Sequence, residues 1–234
     1  MSDNPAQDSS IRLNKHLALQ LGIARREADN LISSGQVSIN GKTARLGSRV
    51  GEGDILLVDN RPVGTEAEMI YLALNKPIGY VCSRRRQGES PTIYELISDN
   101  LHHLKPVGRL DRDSSGLLLL TNDGDFTYRM THPKFKKIKI YKVRLDRDLE
   151  PLHQQMIADF GVQLEDGFSK LGLERLSDNS RADWQITMSE GRNRQIRRTF
   201  SALGYTVVKL HRTHFGTYSL DDIKPGKTKL INIH

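Results

Sequence analysis

An aspartate next to a short apolar run is the first candidate for chemistry in this sequence. Asp111 lies in the segment GRLDRDSSGLLLLTNDG, residues 108–124, and four consecutive leucines follow it. Such a run, bounded by Ser-Gly and Asn-Asp-Gly, predicts a buried strand at residues 117–120. A loop that is fixed to a rigid strand often carries catalytic residues, but a lone aspartate beside glycine and serine also commonly caps a turn. Its own neighbourhood leaves both roles open for Asp111.

A tyrosine on an alternating strand is the second candidate. In residues 140–145 apolar and basic side chains alternate, so Tyr141 shares one face with Val143 and Leu145. Successive side chains of a strand point to opposite faces, and we therefore expect Tyr141 to point inward. Lysines are frequent immediately before this strand. The segment thus combines an inward-facing aromatic ring with a basic approach.

An arginine at the edge of a helical stripe is the third candidate. Residues 192–200 read RNRQIRRTF, and Ile196 and Phe200 have the spacing of an apolar helix face. Arg197 lies about 100° from Ile196, at the border of that face, whereas Arg194 is predicted to point toward solvent. An arginine at a core border either pairs with an anion or extends over its neighbours toward water.

Two metal-site patterns are rejected on chemical grounds. Asp111 and Asp113 begin a spacing like that of a calcium loop, but the twelfth position is Asn122, which cannot supply the bidentate carboxylate. His211 and His214 are three residues apart in a predicted strand and lack an obvious third ligand. We therefore predict no metal site.

The charge balance of the chain favours a polyanionic partner. The chain has 234 residues, with 35 Lys and Arg against 28 Asp and Glu, which gives a formal net charge of +7. Nucleic acid is the first expectation for such a balance.

No apolar stretch approaches the roughly 20 residues that span a bilayer, and the polar residues 1–10 read as a disordered lead-in without a signal core. A single cysteine excludes an internal disulfide. We expect a cytoplasmic protein that does not bind membranes.

A compact basic module is predicted at residues 11–60. Two helices, at residues 11–22 and 24–32, precede an Asn-Gly hairpin turn and another strand at residues 55–58. The module carries a cluster of basic side chains that suits phosphate contact, namely Lys15, Arg25, Arg26, Lys42 and Arg45. Its signature RREADNLISSGQVSINGK resembles the ribosomal-protein-S4 type of RNA-binding domain over residues 11 to about 58. That resemblance implies affinity for structured RNA, with Arg25 and Arg26 as contacts.

A larger domain is predicted after a polar linker at residues 61–68. Residues 69–234 contain many strands and few helices in irregular order, which argues against a doubly wound parallel fold. Helices are expected at residues 92–97, 126–131 and about 150–159. The expected fold class is α+β, with a small helical and β-hairpin RNA-binding domain followed by this strand-rich domain.

Four motifs of the larger domain together resemble the RsuA family of pseudouridine synthases. They are Asn75-Lys76-Pro77-x-Gly79, Gly108-Arg109-Leu110-Asp111, Lys139-Ile140-Tyr141 and Gly191-Arg192-x-Arg194-Gln195-Ile196-Arg197-Arg198. The resemblance spans almost the whole chain. It implies a mixed, mainly antiparallel sheet flanked by helices, with the active cleft across its middle. It also implies isomerisation of uridine to pseudouridine without a cofactor.

The resemblance assigns roles to the residues already selected. Asp111 is expected to be the essential carboxylate, either as a nucleophile or in forming a glycal from the ribose. Tyr141 is expected to stack on the base and assist removal of a proton, and Arg197 to pair with Asp111. Arg109 is expected to fill the space that the flipped uridine leaves. The remaining RNA contacts are expected to be Lys15, Lys76 and Arg194, beside Arg25 and Arg26.

Three classes of function follow from these features. The first is a monomeric enzyme that acts on a structured stem-loop of ribosomal RNA, with large-subunit RNA as the preferred substrate. The second is a non-catalytic RNA-binding or ribosome assembly factor. A glycoside hydrolase that uses Asp111 and Asp113 is the third, but it explains neither the basic charge nor the first domain.

Overall fold

The structure, a computed structural model, describes residues 10–64 and 68–233. The predicted lead-in, except for Ser10, and part of the predicted linker lie outside these ranges. The chain divides into two compact units, Met1–Ile70 and Tyr71–His234. The second unit begins two residues after residue 69, where we expect the larger domain to begin, and the first unit includes the predicted linker.

The first unit contains two short helices and two small antiparallel sheets. The helices are α1 (Leu13–Gln20) and α2 (Arg25–Ser33). The strands are β1 (Ile11–Arg12), β2 (Val37–Ile39), β3 (Lys42–Thr43), β4 (Arg49–Val50), β5 (Leu56–Val58) and β6 (Arg61–Pro62). One sheet has the order β3-β2-β5-β6, and β1 pairs with β4. The segment predicted as a linker therefore begins with a strand, because Arg61 and Pro62 pair with β5.

The core of this unit follows the predicted helical spacing. Leu13 and Leu17 of α1 and Ala28 and Ile32 of α2 are almost completely buried against each other. Leu21, which lies four residues after Leu17 in the predicted helix 11–22, follows the end of α1 and is 39% exposed. The helix thus ends before its apolar stripe does.

The second unit is built on a large sheet. The strands of this unit are β7 (Tyr71–Lys76), β8 (Lys105–Pro106), β9 (Ser115–Thr121), β10 (Lys139–Leu145), β11 (Val162–Leu164), β12 (Gly167–Ser169), β13 (Gly172–Arg175), β14 (Asp183–Met188), β15 (Val207–Phe215), β16 (Tyr218–Ser219) and β17 (Thr228–Leu230). Strands β11 and β12 form a separate pair outside the large sheet. Its α-helices are α3 (Gly124–Thr131), α4 (Pro151–Gln155) and α5 (Gln195–Ser201). Shorter helical turns occur at Ile93–Leu96, Asp99–Leu101 and Pro133–Phe135, which are 3-10 helices, and at Met156–Phe160, a π-helix.

The main sheet has the order β13-β14-β10-β15-β9-β7-β17, with β16 and β8 paired to its members. Most neighbours are antiparallel, while β9 and β15 run parallel. The predicted mixed, mainly antiparallel sheet is confirmed, and with it the α+β class. Two predicted helices differ in type, because residues 93–96 form a 3-10 helix and the helix that begins at Pro151 changes into a π-helical turn.

Strands β9 and β10 lie on either side of the central strand β15. The four leucines of β9 are buried on both faces, and Leu117 and Leu119 pack in a core cluster with Phe126 and Met130 of α3. From Tyr141 onward the burial along β10 alternates as the sequence predicts, because Tyr141, Val143 and Leu145 are buried and Lys142 and Arg144 are exposed. Asp123 caps α3 by accepting hydrogen bonds from the next amides. These elements form the rigid base on which the loop of Asp111 lies.

Candidate active site

A cleft of about 1290 Å³ opens over β10, β14 and β15 in the second unit. It brings together side chains that are far apart in the sequence. Four of the predicted site residues line it, namely Arg109, Asp111, Tyr141 and Arg194. Asp111 is 33% exposed there, so its carboxylate is accessible from the cleft. The first candidate for chemistry therefore faces a space that can admit a ligand.

The loop of Asp111 is held by a buried lysine. Lys76, at the end of β7, is fully buried, and its Nζ donates hydrogen bonds to the carbonyl oxygens of Pro77 at 3.0 Å, Asp111 at 3.0 Å and Ser114 at 2.7 Å. The amide of Gly79 also donates to the carbonyl of Arg112 at 2.7 Å. Burial lowers the pKa of Lys76 to about 8. The ammonium thus links the end of β7 to the loop that carries the aspartate.

This geometry corrects one prediction from the sequence. Lys76 was expected to contact RNA, but its side chain has no exposed surface and its three donors already have acceptors. A lysine normally stays at the surface, and burial is tolerated here because three carbonyls converge on the ammonium. Lys76 therefore holds the Asp111 loop and does not reach a phosphate.

Arg194 lies over the two aspartates of the loop. Its guanidinium binds both carboxylate oxygens of Asp113 at 3.1 Å, and its Nη1 lies 3.6 Å from Oδ2 of Asp111. The residue precedes α5 and has a left-handed backbone, with φ of 45°. The predicted orientation toward solvent is confirmed, since the side chain is 43% exposed against 12% for Arg197, and the irregular backbone before α5 also lets its guanidinium reach the loop. Its hydrogen bond to Asp113 raises the pKa of Arg194.

Arg197 has an anionic partner, as its position predicts, but that partner is Asp113 and not the expected Asp111. Its Nε lies 3.3 Å from Oδ2 of Asp113, and its Nη2 donates to the carbonyl oxygen of Asp113 at 2.9 Å. Nη1 donates to the carbonyl of Val207 at 2.7 Å. The expected pairing of Arg197 with Asp111 is therefore not the ion pair of this structure. The side chain is 12% exposed, and burial lowers the pKa of Arg197 despite the neighbouring carboxylates.

Asp113 is the residue that the sequence argument set aside. It was considered only as a calcium ligand or a second acid, yet it binds both arginines. Partial burial acts to raise the pKa of Asp113, but hydrogen bonds and charges from Arg194 and Arg197 outweigh it and hold the pKa below its usual value. Two features of the sequence indicate that Asp113 could pair with arginines. It lies two residues after Asp111, and the chain has two arginines near the edge of the core.

Tyr141 reaches the cleft from β10, as the alternation predicts. It is 7% exposed and lines the same cleft as the Asp111 loop. Lys139 lies two residues earlier on the same strand and also lines the cleft. Its Nζ donates to the carbonyl of Glu190 at 2.9 Å, and burial followed by the charge of Arg212 lowers its pKa to about 8. The same period of two that selected Tyr141 would have selected Lys139.

Arg212 is a second cation that the sequence argument missed. It lies on β15, paired with Tyr141 across the strands, and is 2% exposed. Its Nε donates to the carbonyl of Leu117 at 2.8 Å, and its guanidinium carbon lies 4.9 Å from the ring centre of Phe215. The cleft is therefore bounded by positive charge on several sides, which suits a polyanionic ligand.

The remaining predicted contacts are on the surface. Arg109 is exposed at the cleft. In the first unit Arg25 and Arg26 are exposed at the start of α2, and Lys15 is partly buried on α1. Exposed arginines at a helix start can reach phosphates. Nothing in the geometry assigns a ligand to them.

The described residues contain neither a metal-binding cluster nor a membrane-spanning helix. Within residues 10–64 and 68–233, no group of three or more His, Cys, Asp or Glu side chains could hold a metal ion. None of the helices in those ranges has the length and apolar character that crossing a membrane requires. His211, a rejected metal ligand, shares a 2.9 Å hydrogen bond with Ser115.

Comparison with known proteins gives matches over both units. Residues 70–202 match the RNA pseudouridylate synthase family, and residues 11–56 match the S4 domain. Ribosomal small subunit pseudouridine synthase A of Vibrio parahaemolyticus is 36% identical, over 94% of this chain and 96% of that protein. Ribosomal large subunit pseudouridine synthase B of Bacillus subtilis is 34% identical, over 95% and 93%. A solved crystal structure of a pseudouridylate synthase is 34% identical and superposes with a TM-score of 0.67, covering 95% of this chain and 96% of that one.

Proposed function

The chain belongs to the RNA pseudouridylate synthase family, and we propose that it converts a specific uridine of ribosomal RNA into pseudouridine with Asp111 as the catalytic carboxylate. The observation that carries the proposal is the position of Asp111. Its carboxylate faces the cleft between Arg194 and the strand of Tyr141. A carboxylate in a basic cleft can act on the sugar carbon of a nucleotide, whose phosphates the surrounding cations attract.

The reaction breaks the bond between N1 of uracil and C1′ of the ribose and forms a bond from C1′ to C5 of the same base. Asp111 begins it either by attacking C1′ or by taking the proton from C2′ to give a glycal. After the base has rotated and C5 has joined C1′, a proton leaves C5. Tyr141 stacks on the base and assists that last step. Substrate and product are isomers, so the balance needs no cofactor.

The target nucleotide must leave its helix to reach Asp111. Flipping a nucleotide out of a stack costs a few kcal/mol. We infer that Arg109, exposed at the cleft, enters the vacated space and offsets part of this cost. Arg194, 3.6 Å from the Asp111 carboxylate, is positioned to meet the nearby phosphate. Both roles are specific to a structured RNA.

A stem-loop of ribosomal RNA is the substrate class that we favour. The net charge of +7 supports a nucleic acid, and the S4 domain at residues 11–56 supports structured RNA. Lys15, Arg25 and Arg26 are the residues of that domain that we assign to phosphate contacts. Large-subunit RNA remains our preference because of the motifs, although relatives named for either subunit are about equally similar. We expect the enzyme to act as a monomer in the cytoplasm.

The test replaces one oxygen of the catalytic group. Asp111→Asn keeps the size of the side chain and removes its charge, so we expect RNA binding to be retained and pseudouridine formation to be abolished. Chemical mapping of pseudouridine in ribosomal RNA from cells with the protein, without it, and with the variant identifies the site. Retained isomerisation by the variant would refute the role of Asp111. Identical pseudouridine maps with and without the protein would favour an assembly factor instead.

A further inference from the structure

Three aromatic rings form a cluster at the edge of the cleft. Tyr128 is on α3, His132 follows it, and Phe135 ends the next 3-10 helix. The ring centre of Tyr128 lies 4.7 Å from that of His132 and 5.6 Å from that of Phe135, while His132 and Phe135 are 6.4 Å apart. We call these three residues the aromatic cluster.

The cluster is exposed although it is apolar. Tyr128 is 45% exposed and Phe135 is 37% exposed, whereas Phe126 of the same helix is 5% exposed in the core. Tyr128 and Phe135 meet at an interplanar angle of 89°, and His132 and Phe135 meet at 76°. In such edge-to-face contacts a ring edge meets a ring face, and Tyr128 and His132 are tilted at 53°, so none of the three pairs is a parallel stack. Part of their surface remains available to a flat ligand.

Positive charge surrounds the cluster. The Nζ of Lys134 lies 5.0 Å from the ring centre of Tyr128 and 4.7 Å from that of Phe135, a cation–π arrangement with both. Lys136 and Lys137 follow directly in the sequence. Among residues 10–64 and 68–233, the ion pairs include none of these three lysines. Their charge is therefore available to an anionic partner.

The cluster is continuous with the cleft of Asp111. His132 lines that cleft, together with Pro133, Lys136 and Lys137. A ligand that leaves the cleft along this side therefore passes from the catalytic carboxylate to exposed rings within one continuous surface. Exposed rings interleaved with lysines are the arrangement with which proteins bind unpaired nucleic acid, because rings stack on bases and cations meet phosphates.

We infer that the aromatic cluster is a stacking site for an unpaired base of the RNA, adjacent to the nucleotide in the cleft, and that Lys134 contacts the phosphate of that base. The inference rests on the proposed function, since it places the base next to the target uridine. A protein partner would explain the exposed rings but not the unpaired lysines at the same edge. The stacked base would fix the strand where it enters the cleft.

The test separates stacking from electrostatic attraction. Two fluorescent 12-residue oligonucleotides are used, one of oligouridine and one with the same backbone but abasic sugars, and their dissociation constants are measured by anisotropy. The protein carries Asp111→Asn throughout, so that binding is read without turnover. We expect Phe135→Ala to weaken binding of oligouridine by at least about 5-fold and to leave binding of the abasic strand unchanged. Its salt dependence should stay the same, because no charge is removed.

Matched variants control for packing. Phe160 is a phenylalanine of the same unit that is 72% exposed and does not line the cleft, so Phe160→Ala should leave both constants unchanged. Phe135→Tyr should retain binding, since it keeps the ring, whereas Phe135→Leu should lose it as Ala does.

Two results would overturn the inference. One is an unchanged preference for oligouridine in Phe135→Ala, and the other is restoration by Phe135→Leu, which would assign the ring to packing alone. Binding to these oligonucleotides does not depend on isomerisation. Failure of the stacking site is therefore distinguishable from failure of the proposed function.

Discussion

Arg197 forms its ion pair with Asp113, whose Oδ2 lies 3.3 Å from Arg197 Nε, and not with Asp111 two residues earlier. Arg194 binds the same carboxylate through two hydrogen bonds of 3.1 Å. Asp113 is therefore the anionic partner that both arginines share. The carboxylate of Asp111 has only the longer contact of 3.6 Å to Arg194 among the ion pairs of the described ranges. In this arrangement Asp113 sets the position of the cations, while Asp111 stays accessible to a substrate.

The first prediction concerns the charge of Asp113. Arg194 and Arg197 hold its folded-state pKa below that of the unfolded chain, so Asp113 contributes stability that is present above about pH 4 and is lost as the pH falls through the lowered pKa. We expect Asp113→Asn to lower the free energy of unfolding near pH 7 and to weaken its decline on acidification. Pseudouridine formation should fall at least about 10-fold, because both arginines lose their common partner. Urea unfolding from pH 7 to pH 3 measures the first effect.

An exposed ion pair provides the control for Asp113. Asp178 is 97% exposed and lies 3.4 Å from Arg175, so Asp178→Asn should change neither stability nor activity appreciably. If Asp113→Asn unfolds with the same dependence on acid as the wild type, the assigned role of Asp113 in stability is wrong.

The second prediction concerns the buried ammonium of Lys76. Lys76→Met keeps the length of the side chain and removes the hydrogen bonds that hold the Asp111 loop. Because small displacements of catalytic groups are costly, we expect kcat to fall by about 10- to 100-fold. The affinity for RNA and its dependence on salt should stay unchanged, since the ammonium is fully buried. Single-turnover kinetics and salt titrations of RNA binding measure the two effects.

A lysine at the cleft gives the contrasting variant. Lys136 is exposed and lines the cleft, so Lys136→Met should reduce the slope of log affinity against log salt by about 0.7 to 0.9, the value for one phosphate contact. A similar reduction in Lys76→Met would instead support the original expectation that Lys76 binds RNA.

Features that depend on local periodicity could be predicted from the sequence. The buried strand of leucines, the inward direction of Tyr141 and the Asn-Gly hairpin, where Asn40 has φ of 49° and Gly41 of 77°, are all confirmed. The S4 domain and the RsuA-type synthase are confirmed through motifs of several residues. In each case the residues that determine the feature are close together in the sequence.

Features that depend on distant residues could not be predicted in the same way. Asp113 and Arg197 are 84 residues apart, and their contact depends on how helix α5 meets the loop of Asp111 and Asp113. The burial of Lys76 depends on carbonyls that converge from the turn after β7 and from the Asp111 loop. Intrinsic preference places a lysine at the surface, and the tertiary contacts override it. The sequence thus proposes the candidate site, but the structure gives Lys76 and Arg197 other contacts than those expected.

The third prediction concerns the close approach of β9 and β15 behind Asp111. Gly116 has φ of 106°, and a Cβ at this position would lie 2.2 Å from the backbone oxygen of Arg212. The atoms that this Cβ would approach belong to the backbone of Arg212. The backbones of Gly116 and Arg212 can move apart only if the parallel strands β9 and β15 separate. We expect Gly116→Ala to lower the free energy of unfolding by about 3 kcal/mol or more, as strain and overpacking add. Urea denaturation measures this loss.

A second glycine separates the two causes. Gly79 has a similar φ of 93°, but a Cβ there would meet nothing within 4 Å. Gly79→Ala should therefore cost only the backbone term, about 1 kcal/mol. The difference between the two variants isolates the clash between β9 and β15. Equal losses would mean that the strands can separate without cost, and the loop of Asp111 would then lack the rigid support that we assign to it.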